Sequence, residues 1–431
     1  MTLITCAQVC KNWREAAYNP HCWKGYTLHV HEKSLLAKVS SARSVKERGI
    51  KEVSITNMKK HQNVTARMLK NIASHADISA MTLKDLYLLP EVAIDIPKQF
   101  DSLRVLAIKH RCISEEGLRI ALQPMVNLEE LFLRWWTQDL WGKGISMAPC
   151  YPEFDYMGVI IDNLPKLRDL EIIDDAVCLE APNLPVSNKS KPDLQRLVFN
   201  GMLNMVGAMA DIPRAFPNLR HFELRCTSRG HSNDYLQDSL FSSLCTELQS
   251  LVLYDAKFMP THVTTILHCS NLQALDLTLL DIVEQDSLGD YELGSLCVSL
   301  PNLKLLNLSG HNEVTSRALN RIPGWLKKLE VLKLPDVFRS FHEINEFLNL
   351  VENLLKNLIS LRYPLYIGRE VMEIRCIKYI SDYDEKEILK RCIIDHKQFI
   401  SVRRDSKEWH EAVGAKFFLL PTTHHLGRMY D

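Results

Sequence analysis

The chain has 431 residues, 46% of them hydrophobic and 24% charged, with 52 Lys plus Arg against 52 Asp plus Glu. This is the balance of a chain that folds throughout, and it excludes a disordered composition. A net charge of zero supplies no global field toward nucleic acid or an anionic membrane, and no run approaches the ~20 apolar residues of a membrane span.

In chain order, Leu3, Cys6, Val9, Cys10 and Trp13 follow helical spacing, Asn19-Pro20 breaks that helix, and Trp23 opens a second apolar cluster. Lys11, Arg14 and Glu15 interrupt the apolar start before a signal-peptide core could form. On residues alone this is a helical cap. Cys6, Cys10, His21 and Cys22 match no metal-site spacing, with Cys6 and Cys10 one helical turn apart on the apolar face, so they are read as packing residues and no metal is expected. The run Val9-Cys10-Lys11-Asn12-Trp13-Arg14, followed by Trp23 ahead of a strand, resembles the second half of an F-box. That resemblance implies that Val9, Cys10, Trp13, Arg14 and Trp23 contact a Skp adaptor and, through it, a cullin scaffold. Cys22 stands where the family more commonly has Leu. An F-box also opens with a Leu-Pro-x-Glu-like segment and a first apolar helix, which this chain lacks, so adaptor docking is expected to depend on that upstream half.

From residue 51 onward a second pattern takes over. Segments such as Leu128-Glu-Glu-Leu-Phe-Leu133 recur with starting leucines at Leu83, Leu103, Leu128, Leu167, Leu194, Leu219, Leu248, Leu272, Leu303 and Leu329. Most intervals are close to the roughly 20–29 residues of leucine-rich repeats. Leu303, Leu306 and Leu308 cannot share one side of a plain amphipathic helix; they suit a short strand entering a buried turn. The predicted fold is an α/β leucine-rich-repeat solenoid, a horseshoe with a parallel concave sheet and outer helices, preceded by a short all-α partial F-box. Boundaries follow: 1–30 partial F-box, 31–50 helical linker and N-terminal cap, 51–365 repeats with an insertion at about 134–160, and 366–431 C-terminal cap. The stretches at Leu103–Leu118 and Leu303–Leu319 resemble cysteine-containing repeats in which a Cys or Asn precedes the helix, with Ser114 and Thr315 at the N-cap position.

Spacer residues of each strand are expected on the concave face, where they would recognise a target. Candidates are Tyr87, Phe132, Glu171, Arg220, Glu223, Asp276, Asn307 and Lys333. Their signs are mixed, which favours a protein over a nucleic acid partner. The long interval after Leu128 adds Arg134, Trp135, Trp136 and Trp141, with Tyr151, Phe154 and Tyr156 behind them. Two readings stand for these aromatics: ligand-contact loop, or packing onto neighbouring repeats.

Catalytic signatures are missing. Gly142-Lys-Gly144 has neither the further glycines nor the Lys-Ser/Thr of a phosphate loop, and His31-Glu32, His342-Glu343 and His410-Glu411 have no second His at zincin spacing. No catalytic residue and no cofactor is expected. His424-His425 reads as a solvated end, and Asp382–Lys390 as a charged helical face. The 12 cysteines form no C-x-x-C pair and read as reduced thiols in the cytosol or nucleus. The expected role is a substrate receptor of an SCF ubiquitin ligase, not itself an enzyme. The alternative is an adaptor-independent scaffold or inhibitor, while an RNA-binding repeat protein would need a basic concave stripe.

Overall fold

In Leu-x-x-Leu-x-Leu the last two apolar residues share one face of a strand and the first sits just before it, so each repeat can bury them only by stacking on the next. The computed structural model describes residues 11–30, 39–56, 70–74, 76–84, 100–110, 115–135, 156–174, 193–201, 216–226, 247–255, 263–279, 287–335, 360–367 and 370–376, with scattered positions between 337 and 358. The chain is an α/β leucine-rich-repeat solenoid. It divides into two units, residues 1–219 with 227–230, and residues 220–226 with 231–431.

The first unit opens with α1 (Lys11–Tyr18) and a 3-10 turn, Pro20–Trp23. Strands β1 (Thr27–Val30), β2 (Glu52–Thr56), β3 (Ala80–Lys84), β4 (Val105–His110), β5 (Glu130–Trp135), β6 (Asp169–Asp174) and β7 (Arg196–Gly201) follow. Each pairs parallel with the next. The sheet therefore starts at Thr27, ahead of the boundary drawn at residue 51. Helices α2 (Val39–Glu47), α3 (Glu115–Leu122) and α4 (Tyr156–Asn163) lie between strands, and α4 packs against α3. The end of the aromatic insertion is thus the helix of its repeat. Register also corrects the repeat frame. Met81 pairs with Leu106 and Leu83 with Ile108, so Leu83 closes its copy and Ile78 begins it. Ile78-x-x-Met81-x-Leu83 escaped a leucine template because Ile and Met fill two of its three core positions, and all three are buried.

In the second unit, β8 (His221–Cys226), β9 (Ser250–Tyr254), β10 (Ala274–Asp276), β11 (Leu305–Asn307), β12 (Val331–Lys333) and β13 (Ser360–Ile367) run parallel, and β14 (Glu370–Cys376) closes the order antiparallel to β13. Its helices are α5 (Val263–Ile266), α6 (Asp290–Ser299), α7 (Ser316–Leu319) and α8 (Ile322–Trp325). Leu303, Leu306 and Leu308 are completely buried, as are Leu319, Ile322 and Leu329. Each such side chain contributes about 1.5–3 kcal/mol against chain ordering. Thr315 caps α7, accepting from Ala318 N, while the Asp290 carboxylate accepts from Thr315 N and Oγ1, both at 2.7 Å. The N-cap expectation at Thr315 is met; Ser114 lies outside the described residues, as does Cys112.

One repeat-to-repeat device recurs in both units. Two successive N–H groups at the start of a strand donate to a single carbonyl one repeat earlier: Arg104 and Val105 to Ser79, Glu129 and Glu130 to Arg104, Arg168 and Asp169 to Glu129, and, in the second unit, Gln273 and Ala274 to Gln249, then Lys304 and Leu305 to Gln273. A further tie is His311, fully buried, whose Nδ1 accepts from Leu288 N at 3.1 Å and whose Nε2 donates to the Leu277 carbonyl at 2.5 Å. Burial holds this imidazole neutral, with its pKa lowered to about 4 although the Leu277 bond favours the proton. Beside it, Gly310 has φ +89°, and a Cβ there would stand 2.1 Å from the Leu279 carbonyl oxygen. Among the described residues no helix is long and apolar enough to cross a membrane.

Gly310→Ala is expected to lower stability by about 1–3 kcal/mol or more, because the left-handed backbone and the Leu279 carbonyl both resist a side chain. The urea midpoint of the purified chain checks this, with an unchanged midpoint the contrary result.

Candidate binding face

At the N-terminus the chain turns from α1 into the sheet through a small aromatic joint. The Asn19 side chain accepts from His21 N at 3.0 Å, which fixes the turn at Pro20. Trp23 is 3% exposed and meets Tyr26 edge-on, with ring centroids 5.0 Å apart. Arg48, at the end of α2, places its guanidinium 4.4 Å from the Tyr18 ring centroid and 4.8 Å from that of Trp23. Gly49 has φ +65°, and a Cβ there would lie 3.0 Å from Pro20 Cβ. Of the five residues expected at the adaptor, Trp13 and Arg14 are on α1, and Trp23 is occupied by this joint. Val9 and Cys10 lie outside the described residues.

On the sheet, the spacer positions form rungs. In the first unit one rung runs Val105, Glu130, Asp169, Arg196, and the next runs Ala107, Phe132, Glu171, Val198. Arg196 Nη1 donates to Asp169 Oδ1 at 2.7 Å and Nη2 to Glu171 Oε2 at 3.0 Å. One guanidinium thus ties two carboxylates on the neighbouring strand. Glu130 has its pKa raised to about 8, chiefly because burial disfavours its charge and next because Asp169 repels it, with Arg196 opposing. At neutral pH it is mostly protonated. Phe132 is buried despite facing away from the leucines, since side chains on strands only ~4.8 Å apart cover one another. Arg134 is half-exposed near the end of β5, and Trp135 ends that strand. Tyr87, Trp136 and Trp141 lie outside the described residues.

The second unit spends its polar spacers in the same manner. Glu223 is paired with His221 Nε2 at 3.3 Å and accepts from Arg225 Nε. Asp276 Oδ1 accepts from Thr278 N at 3.1 Å and from Thr278 Oγ1 at 2.6 Å, while its Oδ2 accepts from Asn307 Nδ2 at 2.9 Å. Asn307 Nδ2 also donates to Thr278 Oγ1 at 2.7 Å. Asn307 Oδ1 in turn accepts from Ser309 N at 3.1 Å and Ser309 Oγ at 2.7 Å. The same local turn therefore repeats one strand over and is cross-linked to itself.

These contacts correct the expectation that every spacer stands open to a target. Phe132, Glu171, Glu223, Asp276 and Asn307 are all buried; Glu171, Asp276 and Asn307 bond to side chains of the neighbouring strand, while Glu223 bonds to His221 and Arg225 of its own strand. Arg220, just before β8, is exposed, and Lys333 is half-exposed at the end of β12. Arg196, Thr278 and Ser309 escaped the sequence reading. Asp276-Leu-Thr278 and Asn307-Leu-Ser309 carried the signal, a short acceptor followed two residues later by a hydroxyl. Among the described residues no group of three or more His, Cys, Asp or Glu could hold a metal ion.

Two family models match the chain: an F-box domain at residues 1–25 and Zer-1-like leucine-rich repeats at residues 214–323. No curated protein matches it. Solved structures that resemble it include a chain of the TLR13–ssRNA13 complex, at 18% identity and TM-score 0.41, covering 67% of this chain and 40% of that one. Another is the leucine-rich repeat-containing protein LegL7 from Legionella pneumophila, at 11% identity and TM-score 0.39, covering 76% and 89%. This chain thus spans well under half the length of the TLR13 chain.

Two outcomes follow from the buried rungs. Because the folded pKa of Glu130 is raised from 4.5 to about 8, its contribution to stability is full below pH 4.5 and is lost as pH rises toward 8; the difference in urea stability between wild type and Glu130→Gln should fall across that window, and a flat difference counts against the shift. Asn307→Ala, which strips partners from Asp276 and Thr278, should cost about 1–3 kcal/mol in the same assay.

Proposed function

We propose that this chain, which joins an F-box domain to leucine-rich repeats, is the substrate-recognition subunit of an SCF-type ubiquitin ligase. The F-box match at residues 1–25, directly ahead of the first sheet strand, carries the reading. In it, α1 with Trp13 and Arg14 contributes to the Skp adaptor surface and through it to the cullin, while a protein target is held on the spacer face of the repeats. Of the expected contacts, Arg220 is exposed and Arg134 and Lys333 are half-exposed, and these are the positions assigned to the target. Trp23 acts as a positioning residue: it packs under Arg48 and Tyr26 and sets how α1 leaves the sheet. The chain's contribution to ubiquitin transfer is proximity and orientation, with no nucleophile of its own. Such a complex works in the cytosol or nucleus.

Affinity purification of the chain followed by mass spectrometry should recover the adaptor and cullin, and Trp13→Ala should reduce that recovery several-fold. Recovery of a stoichiometric protein partner without adaptor or cullin would instead favour a scaffold or inhibitor.

A further inference from the structure

Arg48 follows α2 directly, and the backbone fixes where its side chain starts. Arg48 N donates to the Ser44 carbonyl and Gly49 N to the Lys46 carbonyl, while the left-handed Gly49 lies against Pro20. The side chain is thereby delivered to the aromatic joint, where its guanidinium carbon stands 4.4 Å from the Tyr18 ring centroid and 4.8 Å from that of Trp23. Ring faces hold the cation by its charge but leave its N–H donors without acceptors. Nε is buried and has no hydrogen-bond partner, and among the described residues no carboxylate or carbonyl accepts from this guanidinium. Arg48 is half-buried with Nε at the covered end, so the two Nη groups are the donors left for an incoming group. A planar cation oriented by stacking and short of acceptors suits a carboxylate, which takes two N–H bonds in one plane.

We propose that Arg48 receives a carboxylate side chain of the Skp adaptor; the inference rests on the receptor reading and gives the adaptor a contact beyond the F-box match, which ends at residue 25. Continuity selects this occupant first. Tyr18 is the last residue of α1, the helix assigned to the adaptor, so a partner seated on α1 ends beside the Arg48 guanidinium. Charge selects it next. Residues 11–30 and 39–56 carry seven Lys and Arg against three Glu, in a chain whose totals are equal, so this part of the molecule attracts an acidic surface. One of the three acids, Glu52, already accepts from Thr27 Oγ1 at 2.9 Å. Apolar contact completes the patch: Tyr26, edge-on to Trp23, is 43% exposed, and an aromatic ring beside an arginine is the composition of interface hot spots.

The test is fluorescence anisotropy of labelled, purified Skp adaptor titrated with the full chain at several salt concentrations. R48Q should weaken binding about tenfold and flatten its salt dependence. R48K, which keeps a cation at the rings but loses the planar fork, should weaken it by about threefold. K46Q removes an exposed charge from the last turn of α2 and should change binding by less than about twofold. Near-UV circular dichroism and the urea midpoint establish that each variant is folded; should R48Q unfold, the R48K loss decides. Undiminished adaptor binding by the folded Arg48 variants, or a K46Q loss as large as that of R48Q, overturns the proposal and leaves the receptor reading standing. A wild-type chain that binds no adaptor overturns both.

Discussion

Everything on the sheet depends on where one repeat is allowed to sit against the last, and a shared carbonyl decides it. At the start of strands from β3 to β7 and from β9 to β12, two N–H groups converge on a single oxygen one repeat earlier, as Glu129 and Glu130 do on Arg104. A slip of one residue would break both bonds and turn the buried leucines outward. Core positions and spacer positions are therefore fixed together. Polar side chains on adjacent strands are brought within bonding distance of one another, which is why Asp276 and Asn307, distant in sequence, form one hydrogen-bonded group.

This lateral closeness gives the spacer face two populations. Some residues, among them Glu171 and Glu223, are consumed in binding neighbours; an acid in a buried rung is tolerated because an arginine or histidine on the same face meets it. Removing such a partner would leave a buried acceptor unsatisfied, so these positions have little freedom to vary with the target. Arg220, before β8, is exposed, and Arg134 and Lys333 are half-exposed near strand ends. In the proposed receptor, recognition falls to such accessible positions.

Much of the fold was legible because Leu-x-x-Leu-x-Leu is a direct consequence of alternation in a strand followed by a turn. Where Ile and Met stood in for Leu, at Ile78 and Met81, the frame was lost even though the physics was unchanged. The N-cap at Thr315 was readable because it is local. What was not readable was anything set by pairing across strands. Phe132 looks like an exposed anchor in sequence and is buried; Arg196 is distant from Asp169 and Glu171 in sequence and bonds to both. Trp23 carried a family resemblance but no hint that Arg48 would cover it.

The joint at Trp23 has a geometric consequence. Because β1 follows it within four residues and every later strand adds one fixed spacing of about 4.8 Å, position along the first unit's sheet is a ruler whose zero is the F-box segment. In the proposed receptor, a target held at β4 would stand three divisions from β1, roughly 14 Å along the sheet. Choosing a strand to bind with would then be the same act as choosing how far the target stands from the ligase.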